Sequence, residues 1–138
     1  MFSLDYCTSK NHSLIVLVTI LRPFNWLERA KAFLKSALAN FDAGNLEVAA
    51  FDVHQAIELS LKAVHIHKYG SRPYTHNLVE LGKAVGFEDP NLEFISLMYT
   101  YARYPEAPLK LSKEKLRVMI DVAKRAIKFA EQELAKEP

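Results

Sequence analysis

The chain has 138 residues, a formal charge of +2 and a single cysteine, Cys7. That length suits one domain with a core of its own. So small a net charge excludes a protein that coats nucleic acid by bulk charge alone, and one cysteine excludes both an internal disulfide and a thiolate metal cluster. A reducing, cytoplasmic compartment is the expected one.

Residues 13–21 are strongly apolar and β-branched. They are shorter than the roughly 20 residues a membrane-spanning helix needs, and Arg22-Pro23 follows where a cleavage site of small residues would stand. No membrane association is expected. Residues 1–22 read as an apolar extension, a strand or helical turn packed on the domain or on a partner chain. Residues 23–138 read as one helical domain.

From residue 24 the hydrophobic period is helical. Asn25, with Glu28 three residues later, predicts the start of a first helix. Leu27, Ala30, Phe33, Leu34, Ala37, Leu38 and Phe41 form its apolar stripe, and Gly44 ends it. Asn45 predicts the cap of a second helix over 46–69, free of Gly and Pro and stopped by Gly70. Its apolar surface covers so much of the circumference that it should lie at the centre of a bundle. Residues 70–75 read as a loop, 76–85 as a short third helix closed by Gly86, and Asp89-Pro90 as the start of a fourth that runs to about residue 102. Pro105 and Pro108 enforce extended backbone before them. Ser112 predicts the cap of a last helix, to about residue 136, with Leu116, Met119, Ile120, Ala123, Ile127, Ala130 and Leu134 facing inward. The expected fold is an all-α, up-and-down bundle of four to five helices.

Three groups of residues could carry chemistry. On the second helix His54, Glu58, Lys62 and His65 recur at steps of four, four and three, which places them on one face. His54 and His65 lie three turns apart, on the order of 16 Å along the axis, so they cannot share one ion, and no metal site is expected. The stripe reads as a polar groove or interface, or as part of a ligand site. His76 stands at the expected start of the third helix, where an imidazole can move protons and free amides can attract phosphate. Alternatively it joins the loop to the bundle. The third group is Tyr99, Tyr101, Arg103 and Tyr104. An arginine can grip phosphate with two parallel bonds and a tyrosine can stack a base. The same residues could instead plug the end of the bundle, with Arg103 against helix C-terminal carbonyls. Between residues 110 and 128 seven basic and two acidic side chains give 7 − 2 = +5, either a solvated face or a guide for phosphates.

Four stretches in order resemble the HEPN family: "AKAFLKSALANFDAGNLEVAAFDVHQAIELSLKAV" at 30–64, "THNLVEL" at 75–81, "YTYARYP" at 99–105, and the long last helix. The resemblance covers about residues 24–136. It implies a bundle of four or five helices that dimerises, and a small prokaryotic protein acting beside a minimal nucleotidyltransferase, in some cases as a toxin–antitoxin pair. Many members are metal-independent ribonucleases with an arginine, four to six residues, then a histidine. That motif is absent here: Arg72 and His76 have three residues between them, and no histidine follows His76. The expectation is therefore a non-catalytic, homodimeric nucleotide-binding module without a cofactor. Lys62, His76, Tyr99, Arg103 and Tyr104 are its candidate contacts to nucleotide or RNA phosphate. The alternatives are a ribonuclease with a shifted site at His76 and Arg103, and a purely structural adaptor.

Overall fold

A computed structural model describes residues 22–106 and 110–138. The apolar segment 13–21, and the part of the "YTYARYPEAP" run at 107–108, lie outside them. Among the described residues every regular element is an α-helix: α1 (Pro23–Ala43), α2 (Leu46–Tyr69), α3 (Leu78–Val85), α4 (Leu92–Ser96), α5 (Met98–Tyr101) and α6 (Lys113–Leu134).

α1 starts earlier than the Asn25 signal predicts. Arg22 is extended and Pro23 takes the first helical position, where its missing N–H costs nothing and its fixed φ already suits the helix. Asn25 makes no side-chain cap there. At the other end Gly44 has φ 83° and its N–H bonds to the Phe41 carbonyl 3.1 Å away, a left-handed turn that a side chain would oppose. α2 has the bounds that its sequence predicts.

α2 is the axis of the molecule, and each of the other described helices packs against it. Ala30 and Ala37 of α1, and Ala49, Ala56 and Ala63 of α2, have no exposed surface. Small residues let helix backbones approach closely, so α1 and α2 form the most extensive pair. A polar clasp crosses that pair: Ser36 Oγ and Asn40 Nδ2 donate to Asp52 Oδ2 at 2.6 and 3.0 Å. α6 closes the core with Leu116, Met119, Val122, Ala123, Ala126 and Ala130, all fully buried. Ile57 and Leu61 of α2 are equally enclosed, and such side chains each contribute about 1.5–3 kcal/mol by burial.

The region after α2 departs most from expectation. α3 begins at Leu78, because Asn77 is the cap, accepting from the Val79 and Glu80 amides at 2.9 and 3.1 Å. His76 therefore belongs to the loop. Asp89 does not cap a helix at residue 90. Its Oδ1 accepts from the Asn91 amide at 2.9 Å, which makes a turn, and α4 follows. The single fourth helix expected to residue 102 is broken at Leu97. The Leu97 and Thr100 amides bond to carbonyls three residues back, Phe94 and Leu97, and this tight winding separates α4 from α5.

Gly82 is needed for closeness rather than for backbone freedom. A Cβ there would overlap the Phe87 carbonyl oxygen and press on Leu92 Cδ1 at 3.2 Å. Gly82→Ala is expected to cost roughly 1–3 kcal/mol through overpacking, read as a lower denaturation midpoint with an unchanged slope.

Candidate functional site

The residues singled out on α2, in the loop after it and on α5 meet at one place. Glu58 lies at the bottom. Its side chain is 5% exposed, and Lys62, 3% exposed, donates to Oε2 at 2.8 Å. Steps of four residues put His54, Glu58 and Lys62 on the face of α2 that the loop and α5 cover. Two charges held so deep require each other, since either alone would face a large desolvation cost.

Above Glu58 stands His76. Its Nδ1 donates to the carboxylate, 3.1 Å from both oxygens. The ring is 45% exposed, and its Nε2 has no hydrogen bond among the described residues. The loop is held by His54, whose Nε2 donates to the His76 carbonyl oxygen at 3.1 Å. A carboxylate on Nδ1 fixes the orientation of the ring and leaves Nε2 facing outward.

Tyr99 covers the imidazole. The rings are 3.9 Å apart and 13° from parallel. Tyr99 also packs on His54 and Phe51, at 5.4 and 6.2 Å. With His76 flat on one face of Tyr99, the Arg103 guanidinium, 4.7 Å from the ring centre, is left the opposite face or the edge. Arg103 Cζ also lies 5.2 Å from the Tyr104 ring, and Nη2 donates to the Tyr104 hydroxyl at 2.9 Å. The guanidinium spends Nη2 on the Tyr104 hydroxyl and otherwise lies against the two rings, where it stays exposed. Arg103 is exposed, and Tyr104 is 50% exposed.

Thus Lys62, His76, Tyr99, Arg103 and Tyr104 form one column from buried ion pair to surface. Their levels differ. Lys62 is beneath the surface, held by Glu58, while Arg103 and Tyr104 reach solvent. Tyr99 is occupied by partners of its own chain. His65 stands apart: its Nδ1 bonds to the Ser71 carbonyl and its ring packs on Tyr69 at 4.8 Å. Arg103 rests on aromatic rings rather than on helix-end carbonyls. Of the basic residues on α6, Lys113 and Arg117 flank the Phe41 ring at 5.9 and 5.3 Å, Lys115 lies 4.4 Å from Phe94, and Arg125 pairs with Asp89. Among the described residues no group of three or more His, Cys, Asp or Glu side chains could hold a metal ion, and no helix is long and apolar enough to cross a membrane.

Burial holds the His54 imidazole below the ordinary histidine range, against the opposing pull of the Glu58 carboxylate and of the hydrogen bond to the His76 carbonyl. The unfolded chain takes up this proton near pH 6.5 and the folded chain only at lower pH. Between those points the unfolded state binds more protons, so stability is full above about 6.5 and falls with pH below it. The groups that face the ring are Glu58, Gln55, His76 and Tyr99. His54→Gln keeps a donor for the His76 carbonyl and removes the titration. Its melting temperature is expected to change less than that of the unmodified protein between about pH 7.5 and 5, measured by calorimetry in matched buffers.

The HEPN domain family model matches residues 25–134. The chain is similar to the crystal structure of TT1696 from Thermus thermophilus, with 24% identity and a TM-score of 0.72, over 82% of this chain and 98% of that one. It is also similar to ST0689, an archaeal HEPN homologue, with 20% identity and a TM-score of 0.64, again over 82% and 98%. At such identities the likeness concerns the fold. No curated protein matches the sequence. The family match spans α1 to α6 and includes every residue of the column, and on that ground the chain belongs to the HEPN family.

Proposed function

We propose that this protein is a nucleotide-binding module, non-catalytic in itself, that acts with a minimal nucleotidyltransferase, in the manner of a toxin–antitoxin pair. The observation that carries the reading is the exposed Arg103 guanidinium laid on Tyr99 and Tyr104 beside the open nitrogen of His76. A phosphate placed there meets a two-pronged donor, and a histidine whose orientation is set by Glu58. Tyr104 is the half-exposed ring on which a base can stack. Glu58 and Lys62 support the site from below. Leu97 and Tyr101, just before α5 and at its end, are 49% and 46% exposed, and such apolar surface favours a second copy of the chain as a neighbour, giving a homodimer. The test is calorimetric titration with nucleoside mono- and triphosphates, together with light scattering. Micromolar binding by a dimer supports the proposal. A monomer that binds none of them refutes it.

One observation favours a second reading, a metal-independent ribonuclease. A carboxylate-oriented histidine beside an arginine is an arrangement suited to proton transfer at a phosphodiester. Cleavage of single-stranded or structured RNA in the presence of a chelator, lost in His76→Ala, would select it over simple binding.

A further inference from the structure

Gln55 stands between two places. Its amide Oε1 lies 3.2 Å from His54 Nδ1. It also lines a cleft of about 420 Å³ between α1 and α2, with Asn25, Trp26, Arg29, Phe33 and Leu59. That volume, walled by the Trp26 and Phe33 rings and Leu59 and edged by the polar Asn25, Arg29 and Gln55, suits a flat organic ligand with polar edges. The cleft adjoins the column already described. Phe51, one turn before Gln55, packs on Tyr99, and His54 behind Gln55 packs on the same ring. Arg72, from the loop that carries His76, places its Cζ 4.9 Å from the Trp26 ring.

Hydrogen bonding determines what Gln55 offers. The His76 carbonyl can only accept, so the proton of His54 is on Nε2. A neutral, buried ring then has no proton on Nδ1 and needs a donor there. Gln55 is placed with Oε1 toward that nitrogen; a half-turn of the amide, which exchanges oxygen and nitrogen at the same positions, presents its NH2 group instead and supplies the donor. One N–H and the carbonyl oxygen are then left for the cleft. A donor beside an acceptor is what lets an amide grip the edge of a base with two bonds. At the rim Arg29 is exposed and has no ion pair among the described residues.

We propose that this cleft is a nucleobase pocket, with Trp26, Phe33 and Leu59 around the ring, Gln55 on its edge, Arg29 at the rim, and the phosphate end of the same ligand at Arg103 and His76. It rests on the nucleotide-binding reading above and places the base in the cleft instead of on Tyr104, whose ring then only supports Arg103.

Trp26 is the only tryptophan in the chain, so its fluorescence, excited beyond the absorption of the bases, reports on the cleft that it lines. The full chain is titrated with adenosine, adenosine 5′-monophosphate and inorganic phosphate, the last by calorimetry. Adenosine and the monophosphate are expected to quench Trp26 saturably. Gln55→Leu removes the paired bonds and Leu59→Tyr fills the cleft. Each should weaken adenosine about tenfold or more, and Leu59→Tyr should leave phosphate binding unchanged, with melts on both variants as a control for folding. Phosphate binding without saturable quenching by adenosine, or quenching unmoved by Leu59→Tyr, overturns the pocket and leaves the Arg103 site standing. Saturable quenching without phosphate binding does the reverse.

Discussion

Glu58→Ala is expected to cost about 3–5 kcal/mol of stability, because it leaves the Lys62 ammonium buried without its counter-charge. Lys62 and Glu58 are 3% and 5% exposed and 2.8 Å apart, so both are almost entirely shielded from water. The change also frees His76, whose Nδ1 loses its acceptor. A second variant separates the two effects. Glu58→Leu combined with Lys62→Met removes both charges and keeps the volume, and replacing a whole buried pair by apolar residues is often neutral or stabilising. The double variant should therefore recover most of the stability while its ligand affinity stays low. Urea denaturation gives the first quantity, with the slope as a check on two-state behaviour. Nucleotide titration gives the second. If Glu58→Ala lost less than about 1 kcal/mol, the value of an exposed pair, the ion pair would have to be open to water.

Most of the fold is legible in the sequence because helical periodicity is a repeated signal. α2 and α6 carry their stripes over many turns and end at glycine or begin at a serine cap, so their bounds are readable. Short elements lack that redundancy. The break at Leu97 leaves no mark in composition, and it depends on tight bonds within the turn and on packing around it. Ser96 Oγ, for instance, accepts from the Leu78 amide at 3.0 Å, a contact eighteen residues away along the chain.

The site was legible in its parts and not in its assembly. The four- and three-residue steps place His54, Glu58 and Lys62 on one face, but no local rule says that the loop after α2 brings His76 back onto Glu58. That depends on the length of 70–77 and on the His54 bond to the His76 carbonyl. Depth was the other hidden quantity. Lys62 reads as a surface cation until the neighbours that bury it are known. Gln55 was visible only as part of the Gln55-Ala-Ile-Glu58 run, and its position on the cleft follows from the packing of α1 against α2. His65, at the proper spacing on the same helix, is directed elsewhere because the chain turns at Gly70 and offers it the Ser71 carbonyl.

At the outer end of the column, Arg103→Lys should weaken nucleotide binding while the melting temperature barely moves. Arg103 is exposed and its contacts are with Tyr99 and Tyr104, so little stability depends on it. A lysine keeps the charge but cannot make two parallel bonds to phosphate or lie flat on a ring. Tyr104→Leu should lower affinity by roughly 1–3 kcal/mol if a base stacks there, again with a small effect on folding, since half of the ring already faces solvent. Tyr99→Leu should behave differently. That ring touches Phe51, His54, His76 and Arg103 together, so its loss should lower both affinity and melting temperature. His76→Ala should reduce affinity and leave Tyr99 with one bare face. Nucleotide titrations run beside thermal melts on the four variants distinguish the roles. Lowered affinity at an unchanged melting temperature for Arg103→Lys and Tyr104→Leu marks a ligand site. Unchanged affinity with lowered melting temperatures in all four would instead make the tyrosines a plug on the end of the bundle and Arg103 part of its packing.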